Sequence, residues 1–99
     1  MDWATKIIEK LEAGETVTFR SGGNSMKPKI KDGTNVIVEP VEIKDIKKGD
    51  IVLCRVKGNH YLHLVKAVDN GRVLIGNNHG RINGWTRTVY GIFIGVADD

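Results

Sequence analysis

Beyond Gly14, no apolar stretch of this chain keeps a helical period. Short β-type runs take over: Thr16 to Arg20, Asn35 to Glu39, Ile51 to Val56, Tyr61 to Val68, Arg72 to Ile75 and Thr88 to Val96. Turn residues separate them. "VDNGRV" joins two runs through Asn70-Gly71, a pair suited to the positive φ angles of a tight hairpin. "KKGD" and "KDG" mark other turns. The one helical pattern comes first, over residues 2 to 13, with Trp3, Ile7, Ile8 and Leu11 on one face and Lys6, Glu9, Lys10 and Glu12 turned away. Asp2 is placed to cap its start and Gly14 its end. The pattern predicts an all-β body with one leading helix.

A chain of 99 residues suits one domain, and the absence of any repeat, linker or low-complexity tract keeps the expectation at a single domain over 1–99, helix 1–14 and β-domain 15–99. Cys54 is the only cysteine, so no internal disulfide can form and a reducing compartment suits the chain. Ile51 to Cys54 and Gly91 to Ala97 are far shorter than the roughly 20 apolar residues a membrane helix needs. The start "MDWATKIIEK" carries an acid at position 2 and no apolar core, which is not a signal-peptide pattern. A cytoplasmic protein without a transmembrane anchor is expected. The net charge of +3 clusters loosely at Lys27 to Lys31 and Lys44 to Lys48, short of the basic stripe of a nucleic-acid binder. Nucleic acid is therefore not an expected partner.

The stretch "SGGNSMKPKI" sets Ser25 in a glycine-rich turn. Gly22, Gly23, Asn24 and Pro28 would make a turn here whatever Ser25 does, so a structural serine is one reading. The other is a nucleophile, which needs a base and donors for an oxyanion. Candidate bases are His60, His63, His79 and Lys66. On a regular strand Tyr61, His63, Val65 and Ala67 share one face, and His60, Leu62, Leu64 and Lys66 the other, so His63 and Lys66 cannot both serve one serine. The same alternation parts His60 from His63 and argues against a metal site built from these histidines and Cys54. No metal or other cofactor is expected. Trp3 and Trp85 read as packing anchors, and Cys54 as a small core residue.

"GNSMKPKIKDGTNVIVEP", "IKKGDIVLCRV", "YLHLVKAV", "IGNN" and "YGIFIGV" together resemble, in order and spacing, the signal-peptidase and LexA/UmuD-type clan of serine proteases over roughly residues 20 to 96. The resemblance implies a strongly bent antiparallel β-body of the LexA C-terminal or signal-peptidase kind, in a small soluble bacterial or phage-type member. It implies Ser25 as nucleophile and His63 as base, since the clan's base position holds lysine in some members and histidine in others. Gly23 stands where many signal peptidases carry a hydroxyl residue, so the oxyanion site would consist of backbone N–H groups near Asn24 and Ser25. Histidine-type members keep an aspartate in a "GDN"-like box; here the box reads Gly76-Asn77-Asn78, and Asn78 is the amide available to orient His63.

Two functions follow. One is a serine peptidase that cleaves a peptide or protein substrate with a Ser25–His63 dyad. The other is a catalytically inactive module on the same fold that binds a peptide or regulates a partner. A single helix before the β-body argues against a DNA-binding repressor. The oligomeric state is not legible.

Overall fold

The computed structural model describes residues 2–23 and 26–97. Helix α1 (Thr5–Glu12) leads into β1 (Val17–Arg20), β2 (Asn35–Pro40), β3 (Ile51–Val56), β4 (Asn59–Asp69), β5 (Arg72–Gly76), β6 (Ile82–Thr86) and β7 (Val89–Val96), with one 3-10 turn at Ile43–Asp45. The strands form a single antiparallel sheet in the order β1-β2-β7-β3-β4-β5-β6. The mainly β body with a leading helix is therefore as the sequence predicts. β6 was not among the predicted runs.

The continuous apolar run of β3 has a direct cause: both of its faces are covered. Ile51 and Leu53 join a core under the helix with Ala4, Ile8, Leu11, Val36 and Val38. Val52, Cys54 and Val56 join a second core on the opposite face with Ile46, Val65, Val73 and Ile75. The sheet bends to close this second core, and register shifts between Leu53 and Cys54, Val65 and Ala67, and Ile75 and Gly76 accompany the bend. At the end of the bend Thr86 Oγ1 donates to Arg55 O at 2.6 Å, and Arg55 N–H to Thr88 O at 3.1 Å. Asn70 and Gly71, at φ 48° and 73°, make the predicted tight hairpin.

The helix is shorter than predicted at its start. Asp2 Oδ1 accepts the Ala4 N–H at 3.1 Å and Asp2 O accepts the Thr5 N–H, so Asp2 caps a preceding turn, and Ala4 is the N-cap. At the other end Gly14 takes φ +88° while Glu15 N–H bonds to Lys10 O and Gly14 N–H to Leu11 O, the double bond pattern of a Schellman cap. Trp3, left outside the helix, is not a buried anchor: it is 53% exposed and lies against Phe19, ring centroids 5.9 Å apart. Trp85 on the edge strand β6 is likewise exposed and is covered on one face by the Arg72 guanidinium at 4.3 Å. Among the described residues no helix is long and apolar enough to cross a membrane.

Candidate active site

The turn that carries the serine is held from both ends. Ser21 N–H bonds to Thr34 O at 2.8 Å and Gly33 N–H to Ser21 O at 2.9 Å, which zips the loop shut. Ser21 Oγ adds a bond to Thr34 O, and the Asp32 carboxylate accepts the Gly23 N–H at 2.8 Å. Gly23 sits at φ +86°, a conformation in which a side chain would be strained. On the far side Met26 and Ile30 are buried in the core under the helix, and Ile30 N–H closes onto Met26 O. Asn24 and Ser25, the predicted oxyanion and nucleophile positions, lie outside the described residues.

His63 comes from β4, where Val52 of β3 is its register partner. The strand alternates as the sequence predicts: Leu62 and Leu64 turn to the core under the helix, Tyr61 and Val65 to the other. The Tyr61 ring stacks on the imidazole with centroids 4.8 Å apart. His63 Nδ1 lies 2.7 Å from Asn83 Oδ1. An amide oxygen can only accept, so Nδ1 carries the proton and Nε2 of the neutral ring keeps a lone pair. Burial holds His63 below the ordinary imidazole range because the charged form loses its hydration, and the bond to Asn83 opposes part of this.

A cleft of about 460 Å³ joins these parts. Gly22, Gly23 and Met26 line it from the turn, His60 to His63 from β4, and Trp3, Phe19, Ile30 and Leu62 give it an apolar wall. His60 shares the cleft with His63 although strand alternation separates them; its Nδ1 pairs with the Asp2 carboxylate at 2.5 Å. Asn59 to His63 pair with Val56 to Val52 of β3, and the β4 ladder with β5 begins beyond them, at Leu64.

Asn78 donates from Nδ2 to Lys27 O at 2.7 Å, tying the β5–β6 connection to the serine turn. The amide seen on His63 Nδ1 is that of Asn83, a residue the sequence reading missed. Lys66 falls at the β4 bulge, with Cε against Gly76. Gly76 has no room for a side chain, since a Cβ there would lie 2.5 Å from Arg81 O. Among the described residues no group of three or more His, Cys, Asp or Glu could hold a metal.

The family model described as Peptidase S24-like matches residues 1–83. A search of curated proteins found no match.

Proposed function

We propose that the chain, which belongs to the Peptidase S24-like family, is a serine peptidase in which Ser25 attacks a peptide carbonyl and His63 serves as its base. The observation that carries this reading is the shared cleft: Gly23 and Met26, which flank positions 24 and 25, line it together with His63. In the acylation step neutral His63 accepts the Ser25 proton on Nε2 as the Ser25 oxygen bonds to the carbonyl carbon. Backbone N–H groups at Asn24 and Ser25 hold the oxyanion. The imidazolium then protonates the departing amine, leaving an acyl-enzyme, and water attacks that ester with His63 again as base. The substrate is an extended peptide or protein segment laid in the cleft beside β4, with an apolar side chain against Phe19, Met26 and Leu62.

A serine-directed fluorophosphonate tests this. Intact mass and peptide mapping should find one adduct on Ser25 that Ser25→Ala loses; absence of the adduct rejects the reading. One observation favours an inactive peptide-binding module: the group on His63 Nδ1 is an amide, which orients the ring but does not neutralise imidazolium as a carboxylate does. In that case the wild type gives no adduct but still binds peptide in the cleft.

A further inference from the structure

We propose that Asn83 is the positioning residue for His63, and that the β5–β6 hairpin sets both halves of the site, His63 through Asn83 and the serine turn through Asn78. The catalytic consequence rests on the peptidase reading above; the pairing itself does not.

The hairpin is built to hold its two amides still. Asn77 Oδ1 accepts the N–H groups of His79 at 2.8 Å and Arg81 at 2.9 Å, and Asn77 N–H returns to Arg81 O at 2.9 Å. The connection is thus a closed set of bonds between two paired strands, β5 and β6. From its tip Asn78 reaches Lys27 O, two residues past Ser25. From its return strand half-buried Asn83 reaches His63 Nδ1. One hairpin therefore contacts both Lys27, two residues past Ser25, and the His63 imidazole, the two partners whose relative placement proton transfer depends on. Asn83 also sets the tautomer: with Nδ1–H committed to its oxygen, Nε2 is the nitrogen that carries the lone pair of the neutral ring.

Other polar and charged groups face the same cleft as His63. Arg20 from β1 and His60 and Tyr61 from β4 share its cleft, with Asp2 paired to His60; Val52 from β3 is apolar, and Gly22, Gly23 and Met26 of the turn bear no charge. Asn83 is the hydrogen-bonded neighbour from β6. Replacing its amide with a carboxylate of the same shape adds one negative charge at bonding distance, which favours imidazolium.

The test is a titration of the His63 ring nitrogens by NMR in the full chain, wild type against Asn83→Asp and Asn83→Ala. The wild-type ring should be protonated on Nδ1 when neutral. Asn83→Asp should raise the His63 pKa by about one unit or more; Asn83→Ala should lose the Nδ1–H preference. Fluorophosphonate labelling of Ser25 should then slow in Asn83→Ala by roughly tenfold or more and shift its pH profile upward in Asn83→Asp. A His63 pKa unmoved by Asn83→Asp, or a wild-type proton on Nε2, overturns the proposal. Should the NMR shifts occur while Ser25 labels in no variant, the positioning by Asn83 stands and the peptidase reading falls.

Discussion

The Asp32 carboxylate accepts the Gly23 N–H at 2.8 Å, which fixes the chain one residue before Asn24 and Ser25. Asp32 is exposed, so the bond adds little to global stability and acts on the local shape of the turn. Asp32→Ala should slow fluorophosphonate labelling of Ser25 about five- to tenfold, equivalent to about 1–1.4 kcal/mol of lost positioning, with a small change in melting temperature. Labelling at the wild-type rate would show that the turn holds its shape without this bond.

Gly91 on β7 lies under the helix, where a Cβ would sit 2.6 Å from Val38 Cγ1 and 2.8 Å from Glu39 O. Backbone cannot yield there as a side-chain tip can. Gly91→Ala should cost about 1–3 kcal/mol or more, whereas Gly95→Ala, with nothing within 4 Å, should stay within about 0.5 kcal/mol of wild type. Urea melts of the two variants separate these outcomes.

Leu11 is 3% exposed and packs against the same glycine. Leu11→Ala should destabilise by about 2–4 kcal/mol through lost burial and the cavity left behind. A smaller loss would mean that the helix settles onto the sheet to fill the gap.

Much of this architecture was legible because period-two strands and turn residues mark each other's limits. Ile51 to Val56 and the Asn70-Gly71 hairpin are examples. β6 was missed because "INGWT" holds a glycine and an asparagine and is an edge strand paired only with β5, so it shows little apolar periodicity. Trp3 and Trp85 were misjudged because size suggested burial, while their places, before the helix and on an edge, leave them exposed. Strand alternation parted His63 from Lys66, and the resemblance pointed to His63 of the two. Asn83 was not, since its approach to a residue 20 positions away depends on how far the sheet curls and where its bulges fall.

Burial pushes the Cys54 thiol up to about 12, and its Sγ lies 3.6 Å from Tyr61 O. The thiolate is the reactive species, so at pH 8 the folded protein should react with an aromatic disulfide reagent only as fast as it unfolds. Rapid labelling under native conditions would contradict the burial of this strand.

The Asp2 carboxyl is held below its ordinary value by the hydrogen bond to His60, with help from the Ala4 N–H. A depressed folded-state pKa means that the pairing stabilises the fold above the ordinary carboxylate value of 3.8 and is lost as pH falls through the lower folded value. Asp2→Asn should therefore flatten the acid limb of melting temperature against pH, and an unchanged limb would show the pairing to be without effect.

The most direct test of the Ser25–His63 assignment is the rate of fluorophosphonate labelling at Ser25 as a function of pH, in wild type, His63→Ala and Lys66→Ala. His63 must be neutral to accept the serine proton, and burial places its pKa below 6.5. The wild-type rate should rise with a midpoint below pH 6.5 and then stay level, Lys66→Ala should follow the same curve, and His63→Ala should lose labelling at every pH. Labelling that persists in His63→Ala, or that climbs only toward the alkaline range and vanishes in Lys66→Ala, would contradict His63 as the base.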